Sequence, residues 1–467
     1  MEYMPVTESM FLMVETRDQP MHVGGLQLFI PRDGQTADDL AQEFYQRLVA
    51  AKDSVTETFL KHPASPANLV GYAAWQHDDD FDFHYHVRRI VLPRPGEVKD
   101  LLRYVSLNHG ALLDRSRPMW EVHVIEGLSD GRLAVYTKIH HSVVDGVSAL
   151  GLLQRMLSTD PDDRSGTAFW DPALKRRRRR TEEPRKGLLS KVTDTLGGVA
   201  KTAEEVIGMA PAAAKVAVNG LTKRDFVAPM QQAPRTALNV SIGSARRFAA
   251  QDWPTDRLRA AAKRHGVTVN DVIVAMSSGA LRKYLQLLDA LPDDSLTAMV
   301  PVSLHTESDT SNNAVTAVIV RLATDVAAPQ DRLKEIQAST TEAKTVVRGL
   351  TPLQQLALGA ANIWPLALAT IPGFVRLTPH AFNVIISSVP GGDRPLYWNG
   401  ARLDGCYPAS IAMDGQAMNI TITSVGGKTS FGIIGARAQL PHLQRMLDYL
   451  EESLTELEKI APLAESA

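Results

Sequence analysis

The sequence has almost no cysteine, almost no net charge and no leader-like N-terminus, and each shortage removes a class of function. One cysteine, Cys406, in 467 residues leaves no partner for an intrachain disulfide, a Cys-x-x-Cys metal site or an iron–sulfur cluster, and fits a reducing compartment. Lys+Arg 50 against Asp+Glu 52 gives a net charge of −2, so no global basic field exists to hold nucleic acid through counterion release. Glu2, Glu8 and Glu15 stand where a signal peptide carries its basic n-region, which makes cytoplasmic synthesis and retention the expectation. No Gly-x-Ser-x-Gly elbow offers a serine nucleophile. Gly427, Lys428 and Thr429 end like a phosphate loop, but Ile422 occupies the position of its first glycine, so the backbone cradle is missing.

What is present is an ordinary globular composition, 44% hydrophobic and 22% charged, in a chain long enough for two or three domains at about 150 residues each. Strand and helix signals alternate up to Pro172, as in the strand-like Gly25–Ile30 followed by the turn residues Pro31–Gly34. Residues 173–234 differ: a basic run, Lys175–Arg180, leads into an alanine-rich stretch with small and basic residues. This reads as a crossover linker between an N-terminal half, 1–172, and a C-terminal half, 235–467. Signals resume with a strand-like Ala237–Ile242 and the segment Trp253–His265, and end in a helix over Pro441–Ile460 with Leu443, Met446, Leu447, Leu450 and Leu454 on one stripe. From Gly349 to Val375 no residue is charged, yet Pro352, Pro365 and Pro372 interrupt the stretch and Gln354, Gln355 and Asn362 are polar. A buried or interfacial helix pair is expected there in place of a membrane span.

The stretch Leu133–Leu150 carries the chemistry. Its first part alternates with period two, so Val135, Thr137, Ile139 and His141 fall on one face and Ala134, Tyr136, Lys138 and His140 on the other. After Asp145 and Gly146 the apolar residues Val147, Leu150, Leu153 and Met156 switch to helical spacing, which places Asp145 where an N-cap acceptor is favoured. An imidazole delivered at a strand end can take a proton from a hydroxyl and return it to a leaving group near neutral pH. A packed strand histidine and a capping aspartate account for the same residues without catalysis. A metal shared by His140, His141 and Asp145 is disfavoured because neighbours on opposite strand faces do not chelate one ion easily.

The pattern His-His-x-x-x-Asp-Gly, formed by His140, His141, Asp145 and Gly146, resembles the signature of acyltransferases and condensation domains that use CoA or carrier thioesters. Six further stretches, Pro5–Phe11 with Gln19–Gly25, Asp114–Trp120, Val269–Asp271, Pro301–Leu304, Asn383–Gly391 and Asn419–Ser424, resemble in this order the bacterial wax ester synthase/acyl-CoA:diacylglycerol acyltransferase family. The resemblance spans essentially the whole chain. It implies an α/β fold of two pseudo-symmetric chloramphenicol-acetyltransferase-like domains with an active-site tunnel between them. It implies acyl-CoA as a substrate, no cofactor, and a long-chain alcohol or diacylglycerol as acceptor.

By the same resemblance His141 is the general base, grouped with His140, Asp145 and Asn270, while Gly146, Pro118, Met119, Trp120 and Asp271 line the substrate site. Asp145 is expected to orient the loop. The Asn270 amide is placed to donate to the thioester oxyanion, and Asp271 to cap the helix that follows a strand-like Val267–Asn270. Two positions depart from the family's pattern: His305 stands where arginine is common, and Ser388 replaces an asparagine, with shorter reach and one donor. The basic run reads as a solvated linker or an anchor to anionic lipid. The expected setting is the periphery of the inner membrane or of a lipid inclusion, with no nucleic-acid partner. A carrier-protein thioester as donor, or a lipid-binding protein without catalysis, are the other readings.

Overall fold

The computed structural model describes residues 1–65, 74–172, 233–303, 315–350, 354, 358, 375 and 380–463. Strands and helices alternate. Before the linker they are β1 (Glu2–Tyr3), α1 (Val6–Val14), β2 (His22–Ile30), α2 (Ala37–Ala50), β3 (Lys61–Ala64), β4 (Ala74–His77), α3 (Phe83–His86), β5 (Val87–Val91), α4 (Val98–His109), β6 (Trp120–Glu126), β7 (Leu133–His140) and α5 (Gly146–Arg155). After it come β8 (Arg246–Pro254), α6 (Thr255–His265), α7 (Val269–Leu287), β9 (Thr297–Ser303), β10 (Val315–Arg321), α8 (Pro329–Arg348), β11 (Val384–Pro390), β12 (Tyr397–Trp398), β13 (Ala401–Ala409), β14 (Met418–Val425), β15 (Lys428–Ala436) and α9 (Arg445–Lys459).

Two six-stranded mixed sheets organise these elements, in the orders β12-β13-β2-β7-β6-β5 and β10-β9-β11-β14-β15-β8. The first thus contains two strands from the far end of the chain: β13 pairs antiparallel with β2, from Arg402 opposite Ile30 to Ala409 opposite Gly24. A division of the sequence at residue 235 assigns residues 397–409 to the second half, whereas their backbone groups complete the first half's sheet. β13 also packs against β15, so close that a Cβ on Gly432 would lie 1.8 Å from the Pro408 carbonyl oxygen.

The halves share one apolar core. Leu26, Leu101, Val105 and Tyr136 from the first belong to the same cluster as Phe248, Ile420, Ile433 and Leu454 from the second. Burial on this scale is the dominant stabilising term, and polar ties fix its register. Ser106 Oγ accepts the Phe248 N–H at 2.8 Å, and Asp404 takes Arg132 and Lys428, each at 2.9 Å.

Three local expectations are corrected. Residues 267–270 are not a strand: Thr268 caps α7 and forms a capping box with Asp271, three residues on, and this outweighs the β-branched run. Residues 237–242 are irregular: Asn239 donates to the Phe382 and Gly415 carbonyls and the Ile242 N–H goes to Asp414, while the Leu238 and Val240 carbonyls accept the Ala417 and Gly415 N–H groups without forming a regular strand. The last helix begins at Arg445, with Pro441–Gln444 in turns, and buries Met446, Leu450 and Leu454 as the stripe requires. The linker up to residue 232, His305 and most of the stretch from Gly349 to Val375 lie outside the described residues.

Candidate active site

β7 ends at His140, and the chain turns before Asp145 caps α5. Asp145 Oδ1 accepts the Ser148 N–H at 2.8 Å and Oδ2 the Ser148 hydroxyl at 2.9 Å. The aspartate therefore ties the turn to the start of the helix it caps. Gly146 opens the helix, and a Cβ there would meet Val23 at 3.8 Å, an ordinary contact among the described residues.

His141 lies one residue past the strand. Its N–H donates to the Met21 carbonyl at 2.8 Å, and its ring stacks on Phe11, centroids 4.1 Å apart and planes 24° apart. Nδ1 is enclosed without a hydrogen-bond partner, while the residue as a whole keeps an accessible edge. Burial lowers the imidazole to about 4, against the opposing pull of Asp145. The ring is therefore unprotonated across the neutral range.

His140 is fully buried and differently held. Its N–H donates to the Met119 carbonyl at 2.9 Å, and Nδ1 accepts the Ser142 N–H at 3.1 Å, with the Ser142 hydroxyl at 2.7 Å. An Nδ1 that accepts from a backbone N–H leaves the proton of the neutral ring on Nε2. Nε2 faces Glu15 Oε1 at 3.3 Å without hydrogen-bond alignment. The expectation that the two histidines leave on opposite faces rests on strand alternation, and that alternation stops at His140.

Glu15 and Arg115 went unrecognised as site residues in the sequence. Glu15 accepts the Met21 N–H at 2.9 Å and both Nε and Nη2 of Arg115, at 3.0 and 2.9 Å. Burial pushes its carboxyl up, but the contacts with His140, Met21 and Arg115 leave it below the ordinary carboxylate range. The signal was available in part: Phe11, Glu15 and Arg115 lie in or beside the quoted stretches, and Phe11 and Glu15 are spaced to share one face of a helix.

The Gln19–Gly25 stretch builds the other wall. His22 pairs with His140 across β2 and β7, and its Nε2 contacts the His109 carbonyl at 2.9 Å. Gly25 lets α5 settle on the strand, since a Cβ there would stand 2.8 Å from Leu153 Cδ1.

The remaining predicted positions divide. Met119 touches the site through its carbonyl while its side chain packs with Met4, Leu12, Trp75 and Leu113. Pro118 is buried, and Trp120 lies among Phe59, Phe81, Phe169 and Trp170 with its indole N–H on the Phe59 carbonyl at 2.8 Å. Asp271 spends one oxygen on Thr268, N at 2.9 Å and Oγ1 at 2.7 Å, and the other on Thr340 at 2.8 Å, which leaves it a structural cap. Asn270 is partly exposed in the first turn of α7. Among the described residues no hydrogen bond or ring contact joins Asn270 or Asp271 to the histidine turn. Ser388 pairs with Ile422 in the ladder of β11 and β14. No group of three or more His, Cys, Asp or Glu among the described residues is placed to hold a metal ion.

The two mixed sheets, with the histidine turn at one strand end, form a fold that condensation domains share. The first condensation domain of the CDA synthetase shares the fold at a TM-score of 0.58, covering 100% of this chain and 98% of that one at 14% identity. The chain belongs to the wax ester synthase/diacylglycerol acyltransferase family: the family's catalytic-domain model matches residues 4–273 and its C-terminal-domain model residues 311–458. It is 48% identical over 461 residues to the probable diacylglycerol O-acyltransferase tgs2 of Mycobacterium tuberculosis, covering 98% of this chain and 99% of that protein. It is 39% identical over 444 residues to the O-acyltransferase WSD of Acinetobacter baylyi, covering 95% and 94%. A wax ester synthase/diacylglycerol acyltransferase structure from Marinobacter aquaeolei VT8 superposes with a TM-score of 0.78 at 40% identity, over 98% of this chain and 99% of that one.

Proposed function

We propose that the protein is an O-acyltransferase that moves a fatty acyl group from acyl-CoA to a long-chain alcohol, giving wax ester, or to diacylglycerol, giving triacylglycerol. His141 takes the acceptor's hydroxyl proton, the oxygen attacks the thioester carbon, and the C–S bond breaks. The imidazolium then returns the proton to the departing CoA thiolate, so the cycle balances without a cofactor. With Nδ1 enclosed, Nε2 is the nitrogen that faces the acceptor. No acyl-enzyme is needed: burial pushes the thiol of Cys406 up to about 12, which keeps it unreactive at neutral pH.

The observation that carries this reading is the stacked and backbone-anchored His141 at the strand end. The names of the full-length relatives support the acceptor classes. The acceptors partition into lipid, and no helix among the described residues is long and apolar enough to cross a membrane. Because its acceptors partition into lipid, the reading puts the enzyme at the periphery of a membrane or lipid inclusion.

The test is release of CoA thiol from palmitoyl-CoA with hexadecanol or a diacylglycerol, with the ester identified chromatographically. Folded His141→Ala is expected to lose turnover, and wild-type ester formation by that variant would sink the mechanism. Co-sedimentation with anionic vesicles tests the setting.

A further inference from the structure

One carboxylate sits where three supports of the His141 turn meet. The backbone N–H of Glu15 donates to the carbonyl of Phe11 at 3.1 Å, closing the last turn of α1. Phe11 is the residue whose ring lies on the His141 imidazole. The side chain of Glu15 receives the Met21 N–H at 2.9 Å, and the carbonyl of Met21 receives the N–H of His141 at 2.8 Å. The same carboxylate faces His140 Nε2 at 3.3 Å. Glu15 thus reaches His141 by two routes, through Phe11 to the ring and through Met21 to the backbone, while touching no reacting atom itself.

Arg115 gives this hub its orientation. Its Nε and Nη2 both bond Oε2, and Nη2 also donates to the Glu15 carbonyl at 3.3 Å. This leaves Oε1 directed at Met21 and His140. The carboxylate side chain is 1% exposed and the arginine 28%, so the carboxylate is buried beneath a partly exposed guanidinium. With two donors on one carboxylate oxygen and a third contact on the backbone carbonyl, the guanidinium ties the side chain of Glu15 to its own main chain in a way a lysine point charge does not. Arg115 lies in the Asp114–Trp120 stretch, whose Met119 carbonyl holds the His140 N–H at 2.9 Å, so both ends of that stretch bear on the same turn.

We infer that Glu15, oriented by Arg115, is a positioning residue for the His141 base: it sets the ring through Phe11 and the backbone through Met21. The inference rests on the proposed role of His141. It assigns the Pro5–Phe11 and Asp114–Trp120 stretches a purpose that core packing alone does not require, because the carboxylate is hydrogen-bonded to two separate segments of chain, at Met21 and Arg115, and faces a third at His140. General-base efficiency depends on placement to within fractions of an ångström, and a displacement of about 1 Å costs on the order of 100-fold in rate.

The test uses the full-length enzyme with palmitoyl-CoA and hexadecanol, with folding checked by circular dichroism and thermal unfolding. Glu15→Gln keeps the shape and an acceptor for Met21 but loses the charge that holds the fork. Its kcat is expected to fall on the order of 100-fold, with KM for palmitoyl-CoA within about twofold, because an interaction felt only in the transition state has been loosened. Arg115→Lys is expected to lose about tenfold in kcat with KM held, since the cation stays and the fork goes.

A role confined to stability would lower Tm and leave the kcat of the folded variants unchanged. Retention of kcat within about twofold by folded Glu15→Gln overturns the inference; where that variant does not fold, Arg115→Lys decides by the same criterion. His141→Ala run in parallel separates the two readings. Wild-type turnover there removes the base, whereas lost turnover there with full kcat in Glu15→Gln removes only the role of Glu15.

Discussion

Phe11 and Glu15 are joined by the last backbone hydrogen bond of α1, Glu15 N–H to Phe11 O at 3.1 Å, and between them they meet both histidines of the motif. A nine-residue helix is too short to be stable alone, so its place is set by what its ends grip: Trp75 Nε1 donates to Glu8 at 2.8 Å near the start, and Arg115 holds Glu15 at the end. The stacked pair is then the part of the helix that acts on the chemistry. Aromatic pairs of this kind contribute about 0.5–1.5 kcal/mol beyond area burial. Phe11→Leu, which keeps an apolar side chain, is therefore expected to lower kcat by about 3- to 10-fold, with a small change in Tm. Steady-state kinetics beside a melting curve check it, and an unchanged kcat would show that the ring holds its orientation without the stack.

The pH profile follows from the same burial. An imidazole lowered to about 4 loses its basic form only below that value, so kcat/KM should stay level from neutral pH down to about 5, well past the ordinary histidine value of about 6.5. Asp145 pulls the imidazole up. Removing its charge by Asp145→Asn should therefore move the acid limb lower still, while asparagine preserves the cap to within a few tenths of a kcal/mol. An acid limb near 6.5 in the wild type would show that His141 is more hydrated than its surroundings indicate. The linkage has a matching sign in stability: between 6.5 and about 4 the unfolded chain binds the proton and the folded one does not, so the His141 contribution weakens the fold as pH drops through that window.

Asn270 and Asp271 are adjacent and should separate cleanly. Both oxygens of Asp271 are bonded within the helix cap and to Thr340, so Asp271→Ala should cost about 1–2 kcal/mol of stability and leave the kcat of the folded enzyme nearly unchanged. Asn270 offers a side-chain amide from a partly exposed position. If it donates to the oxyanion, Asn270→Ala lowers kcat by about 100- to 1,000-fold with Tm held. Chemical denaturation and kcat measured on both variants give the answer, and a retained kcat in Asn270→Ala removes that residue from the catalytic set.

The histidine turn was legible because two periodicities change over within six residues: a period-two strand ends at His140 and a helical stripe begins after Asp145. Local signals of that kind survive folding, as do the β2 strand before Pro31–Gly34 and the stripe of α9. The Val267–Asn270 reading failed because propensity is a weak prior beside a side-chain cap, and Thr268 with Asp271 carried the capping-box spacing all along. The hub at Glu15 was hidden for a different reason. Its partners Met21, Arg115 and His140 lie 6, 100 and 125 residues away, and a single acidic residue at a helix end looks the same whether it is solvated or buried. Strand exchange is equally non-local: nothing in the pattern of Ala401–Ala409 distinguishes a strand of its own half from one that completes the sheet of the other.

That exchange makes the last prediction. β13 hydrogen-bonds to β2 in one sheet and lies against β15 of the other, at the point where Gly432 faces Pro408. Backbone cannot retreat as a flexible side chain can, so the 1.8 Å clearance requires a residue without a Cβ. Gly432→Ala should force β13 and β15 apart and cost at least about 1–3 kcal/mol, the usual range for overpacking. Because β13 leads into Ser410, whose carbonyl meets His109 Nε2 at 2.9 Å beside His22 and the histidine turn, the damage should reach the site. Gly432→Ala is therefore expected to lower both Tm and kcat, whereas Gly427→Ala, at a left-handed turn with open space around it (φ 81°), should lower Tm alone. Equal kcat losses in the two variants would show that the fall in activity reports general loosening and not the strand that ties the halves together.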